Sequence, residues 1–158
     1  MAISDRIAVM NQGAVAQEGT AESLYRQPAS EFVAQFIGRT NLLTGRVLEV
    51  SPAGIELEVA GQRLRLSDHE LRPAQGQLVR LVIRPEAIAL HTPGPANGLA
   101  GTILSRTFLG EKVEYQVQIA GEVLQATSYN PESVFAPGQP VAVQLPARGI
   151  PLLAGGAT

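Results

Sequence analysis

Residues 78–90, LVRLVIRPEAIAL, decide how this chain is read. Val79, Leu81 and Ile83 recur at every second position and so share one face of a strand. Leu78 and Val82 put apolar groups on the other face, and the segment is expected to be buried on both sides. Pro85 has no N–H to give to a ladder and ends the strand, while Ile88 and Leu90 resume the alternation beyond it. Arg84, Pro85 and Glu86 therefore fall at a bend.

The residues flanking this bend repeat. Gly45-Arg46-Val47-Leu48 is echoed by Gly101-Thr102-Ile103-Leu104, and Val59-Ala60-Gly61 by Ile119-Ala120-Gly121. Gly76-Gln77-Leu78-Val79 returns as Gly138-Gln139-Pro140-Val141, and Ile88-Ala89-Leu90 as Ile150-Pro151-Leu152. The matches keep their order at an offset of roughly 60 residues, as two copies of one folding unit do.

The chain has 158 residues, 45% of them apolar, enough for one sizeable core or two small ones. It has no cysteine, so neither a disulfide framework nor a thiolate metal site is expected. The net charge is −2, Lys112 is the single lysine and the arginines are scattered, which is not a nucleic-acid footprint. No apolar run approaches the ~20 residues that span a bilayer, and no basic-then-apolar leader opens the sequence. A soluble chain is expected, with membrane contact made only through a partner.

Residues 5–10 and 14–17 read as short strands joined at Asn11-Gln12-Gly13, with Ile7, Val9 and Val15 as the apolar side chains. A lone hairpin is marginal in water, so this one is expected to be the edge of something larger or to pair with another chain. Thr20 can cap a helix over residues 21–26, stopped by Pro28. Ser30 can cap a second over residues 31–37, ended by Gly38. Phe32, Val33, Phe36 and Ile37 form an apolar face expected to point at a core.

From Gly45 onward the period is two. A turn at Ala60-Gly61 sets Leu57 opposite Leu64, Ile55 opposite Leu66, Glu58 opposite Arg63 and Glu56 opposite Arg65, with apolar pairs on one side and ion pairs on the other. The same count in the second copy sets Val117 opposite Leu124 and Tyr115 opposite Ala126. Alanine is poor at positive φ, which leaves the turn type open at Ala60 and Ala120. Turn signals through residues 45–153 give about ten short strands, five per copy, the number of an OB barrel. The fold expected is mainly β, two OB-like half-barrels (about 45–91 and 100–153) preceded by a β-hairpin and two short helices.

Chemistry is sparse. Gly110-Glu111-Lys112 lacks the upstream glycine and following hydroxyl of a phosphate-binding loop. His69 and His91 stand apart, with no paired spacing for a metal, and are expected to face solvent. Ser67-Asp68-His69 is a sequence neighbourhood, and adjacent residues seldom make a nucleophile triad. An OB surface for single strands needs stacking aromatics and a basic groove, but aromatics are 4% of the chain.

The N-terminal motifs are family-specific in combination. Ser4-Asp5-Arg6-Ile7-Ala8-Val9-Met10-Asn11-Gln12-Gly13, Gln17-Glu18-Gly19-Thr20, Leu24-Tyr25-Arg26-Gln27-Pro28 and Phe32-Val33-Ala34-Gln35-Phe36-Ile37-Gly38 resemble the closing segment of ATP-binding subunits of bacterial ABC importers. Ile83-Arg84-Pro85-Glu86 and Phe108-Leu109-Gly110-Glu111 resemble the transport-associated OB (TOBE) domain found in the importer subgroup for polyamines, ferric iron, phosphonates, sulfate or sugars.

The resemblance implies that residues 1–44 are a remnant of the nucleotide-binding domain with its linker, and residues 45–158 the TOBE domain. The family's phosphate loop, signature motif, magnesium carboxylate, catalytic glutamate and switch histidine would lie upstream of Met1. No catalytic, cofactor-binding or metal residue can then be carried onto this sequence, and the fragment is expected not to hydrolyse ATP; ATP and Mg would belong to the longer parent. By resemblance, two such subunits pair through their C-terminal barrels, contact permease subunits through the nucleotide domain at the inner face of the membrane, and can receive a regulatory protein or solute. Arg84, Glu86, Phe108, Gly110 and Glu111 are the candidates for interface or regulatory positions, although Arg84 and Glu86 could merely pair with each other. A stand-alone module for molybdate or tungstate is the alternative, and nucleic acid is not expected as a partner.

Overall fold

The computed structural model describes residues 4–67, 71–94, 98–129, 131 and 134–155. An antiparallel hairpin of β1 (Ile7–Asn11) and β2 (Ala14–Gly19) leads into α1 (Ala21–Arg26) and α2 (Glu31–Ile37). Thr20 and Ser30 cap these helices by accepting from the backbone N–H of Ser23 and Val33, as the sequence predicted. Val9, Leu24 and Val33 form a small core of their own, with Ile7 and Ile37 against it. Burying such a side chain stabilises by about 1.5–3 kcal/mol, whereas ordering each backbone residue costs about 1–2 kcal/mol. Three side chains cannot hold this unit by themselves, so it depends on what it docks against.

Two of its expected apolar positions face outward instead. Phe32 and Phe36 lie on the exposed side of α2, stacked on each other at 5.9 Å, and Phe36 is 64% accessible. Only Val33 and Ala34 are buried, because a helix of two turns offers its support a single narrow stripe. Val15 is exposed as well.

The remainder of the described residues forms ten strands in two five-stranded sheets of equal plan. The first takes β3 (Asn41–Ser51), β4 (Gly54–Val59), β5 (Gln62–Leu66) and β6 (Leu78–Ile83); the second takes β8 (Leu99–Phe108), β9 (Lys112–Ile119), β10 (Glu122–Tyr129) and β11 (Pro140–Gln144). The fifth strands are exchanged. β7 (Ala89–His91), which follows the first four strands, pairs with β11 of the second sheet, while β12 (Leu152–Ala154), which follows the second four, returns to β6 of the first. The register is equivalent in both, with Leu90 opposite Val143 and Leu152 opposite Leu81. One core serves both sheets, joining Leu57, Leu81 and Ile83 to Ile103, Val117 and Val143.

The duplication extends to backbone detail. Both long first strands carry an irregularity at matching points, between Val47 and Glu49 and between Ile103 and Ser105. Gly76 and Gly138 each donate to the bulged strand, at Val47 and Ile103, and each following glutamine closes its own turn by accepting, through Oε1, from the N–H of Ala74 or Ala136. The hairpin registers are those predicted, including Leu57 opposite Leu64 and Tyr115 opposite Ala126. The ion pairing differs: Arg63 reaches diagonally to Glu56 at 2.9 Å rather than to Glu58 across from it. Both two-residue turns hold alanine at positive φ, 52° at Ala60 and 36° at Ala120, followed by glycines at 74° and 87°. The primed turn that suits a twisted hairpin is thus formed with an alanine where asparagine or glycine would be less strained.

Candidate functional site

The bend after β6 is where the hairpin and helices meet the barrels. Val79, Leu81 and Ile83 enter the barrel core, leaving Arg80, Val82 and Arg84 on the opposite face. Arg80 donates from Nε to Glu31 at 2.7 Å and from Nη1 to Thr44, which ties down the start of α2. Val82 between the two arginines is buried, but Leu78, expected on the same face, is 46% exposed, since it sits at the strand's outer end.

Arg84 holds the other end of α2. Only 7% of it is accessible, and its Nη1 donates to the carbonyls of Ala34, Gly38 and Arg39 at 2.9, 3.1 and 3.2 Å. Nη2 donates to the Tyr25 carbonyl of α1 at 3.2 Å, and the Tyr25 ring covers the guanidinium at 4.1 Å. The last carbonyls of a helix lack intrahelical donors and carry partial negative charge, so one planar cation with several N–H groups serves both short helices. Pro85 opens a 3-10 turn (Pro85–Ala87) that sends Glu86 back toward α1, where its carboxylate accepts from the Tyr25 hydroxyl. Arg84 and Glu86 do not pair with each other; both hold Tyr25. Burial lowers the pKa of Arg84 from its ordinary value, because desolvation disfavours the cation.

The segment between α2 and β3 is fastened to the second sheet as well. Arg39 pairs with Glu114 of β9 at 3.0 Å, and Lys112 approaches the same carboxylate at 3.4 Å. The hydrogen bond from Arg39 holds the Glu114 carboxyl below the usual carboxylate range, outweighing the opposing effect of burial, with Lys112 assisting. The buried Asn41 side chain donates to the Gln125 carbonyl and accepts from its N–H, both at 2.8 Å, and so occupies the open edge of β10 like a peptide group.

Phe108, Gly110 and Glu111 lie elsewhere, at the end of β8 and in the turn that joins it to β9. Phe108 is 68% exposed with Leu109 beside it, Gly110 has φ 79°, and Glu111 is exposed. Among the described residues they share no hydrogen bond or ion pair with Arg84 or Glu86. His91 contacts Gln144 at 2.6 Å; Asp68 and His69 lie outside the described residues. Sequence reasoning missed Tyr25, Arg39, Asn41 and Glu114. Arg84 carried a signal, as the charged residue closing an apolar strand, but its acceptors are main-chain carbonyls, which no residue pattern marks. The described residues hold no cluster of three or more His, Cys, Asp or Glu side chains that could bind a metal ion.

The paired five-stranded barrels and their bend are those of a TOBE domain, whose family model matches residues 81–153, from β6 through β12. Along 98% of its length the chain is 38% identical to the Fe(3+) ions import ATP-binding protein FbpC 1 of Rhizobium meliloti and 37% identical to the spermidine/putrescine import ATP-binding protein PotA of Rubrobacter xylanophilus. It spans 43% and 42% of those relatives, and corresponds to the C-terminal part of such ABC importer subunits, as its motifs implied. Among solved structures, the cytoplasmic molybdate-binding protein ModG superposes with a TM-score of 0.61 over 73% of this chain and 96% of its own, at 18% identity, which is a likeness of fold. No helix among the described residues is long and apolar enough to cross a membrane.

Proposed function

We propose that the chain is the regulatory and dimerising C-terminal region of an ABC importer ATP-binding subunit, whose parent couples ATP hydrolysis to solute uptake at the cytoplasmic face of the membrane. The observation that carries this reading is the Arg84 joint. It fixes the hairpin and helices, which resemble the end of a nucleotide-binding domain, rigidly to a pair of barrels. A contact between barrels of two subunits would then keep their nucleotide domains close and make closure intramolecular, raising effective concentration without touching nucleotide.

The surface we assign to that contact is the β8–β9 turn. The matching turn of the first repeat reads Ser51-Pro52-Ala53-Gly54, so the fold does not require exposed Phe108 and Leu109. Sedimentation equilibrium of the chain is expected to show a dimer that dissociates at least tenfold more readily in Phe108→Ala. A monomer at high concentration would count against the dimer reading, as would a dimer that the substitution leaves unchanged.

A second reading, an oxyanion-binding module, is favoured by the likeness to ModG and by a polar groove of about 220 Å³ lined by Arg39, Ser105, Thr107 and Gln116, in which an anion would have to displace Glu114 from Arg39. Calorimetric titration with molybdate decides it, and absence of heat removes it.

A further inference from the structure

The Arg84 joint leaves one donor unanswered. Among the described residues, the four hydrogen bonds of this guanidinium come from Nη1 and Nη2 and end on neutral carbonyls, and Arg84 takes part in no ion pair. Its Nε is buried and has no acceptor. A buried cation without a counter-charge is unusual, and a buried N–H without an acceptor costs about 1–3 kcal/mol.

The same side chain lines a pocket of about 280 Å³ between α1, the bend and the approach to β12. Its walls are mostly apolar, with Val82, Ala87, Ile150 and Pro151 among them. The other charges around it are already engaged: Arg26 pairs with Glu22 at 3.0 Å, and Glu86 accepts from Tyr25. What remains is one uncompensated cation, its Nε–H unanswered, on a side chain that lines an apolar chamber.

We propose that this pocket is a binding site for a small organic monoanion, a carboxylate with a short apolar stem. Its oxygen answers the Nε–H of Arg84 and its stem lies on the apolar wall. A hydrocarbon lining beside one cation suits a carboxylate better than a phosphate, which would leave several oxygens facing apolar carbon. Because Tyr25 covers the guanidinium, entry requires its ring to tip aside, so occupancy is felt in α1. This site is independent of the dimer contact and of the groove at Arg39.

Sodium butyrate is the probe and uncharged butyramide its control, with the Arg84 Nε–H resonance followed by NMR and assigned by its loss in Arg84→Lys. Butyrate is expected to give a saturable shift, together with altered amide exchange in residues 25–27, and butyramide to give neither. Ala87→Trp, on the exposed rim, closes the pocket without altering the guanidinium and should abolish the response while keeping the resonance. No shift with butyrate, an equal shift with butyramide, or an undiminished shift in Ala87→Trp would each overturn the proposal.

Discussion

Replacing Arg84 with methionine keeps an apolar stem and removes the cation from the joint between helices and barrels. Four donated hydrogen bonds are lost, and each nets about 1 kcal/mol in a folded protein. The Tyr25 ring contact adds about 0.5–1 kcal/mol. Relief of the desolvated charge works the other way, so a net loss of about 3 kcal/mol is expected, roughly a 100-fold shift in a local opening equilibrium. The barrels have their own core, whereas the hairpin and helices have only the small cluster of Val9, Leu24 and Val33, so the loss should fall on the latter. Hydrogen–deuterium exchange read by mass spectrometry checks it: peptides over residues 21–37 should lose about two decades of protection while β3, β4 and β9 keep theirs. A change in α1 and α2 below about threefold would refute the joint, and an equal loss in the barrels would show that Arg84 serves their folding instead.

The other expectations concern the barrels themselves. Ala60→Gly and Ala120→Gly should each raise stability in urea melts by about 0.5–1 kcal/mol, since both alanines sit at positive φ where glycine is unstrained. Asn41→Leu leaves both main-chain groups of Gln125 unanswered at a part-buried edge, and should cost about 2–3 kcal/mol in the same assay. The folded-state pKa of Glu114 lies below its unfolded value, so its pair with Arg39 contributes above the ordinary carboxylate range and fades as pH falls through the lowered value. Glu114→Gln should therefore narrow the stability difference between pH 7 and pH 3, and more so at low salt, because the pair is partly exposed.

Alternation and turn chemistry made the strands, helix caps and hairpin registers legible, because side-chain period and capping are local properties. Leu57 opposite Leu64 needed only the position of one turn. The exchange of β7 and β12 was not legible, since three residues of apolar alternation fit either sheet equally well. Phe32 and Phe36 misled because a two-turn helix with four large apolar residues cannot point them all one way. Of the candidate residues, Arg84 and Glu86 were noticed as flanking a bend, but what they grip lies some 50 to 60 positions earlier in the chain and is mostly backbone.

The crossed fifth strands also bear on biosynthesis. As the polypeptide leaves the ribosome, β6 emerges with one flank vacant, and the segment that fills it, β12, is made only after β8 to β11. The first half must therefore wait through the translation of the second, with hydrogen-bonding groups of Arg80 unclaimed. Loss of residues 152–154 would strip a strand from the half of the domain made first, turning a small deletion into an open, aggregation-prone flank.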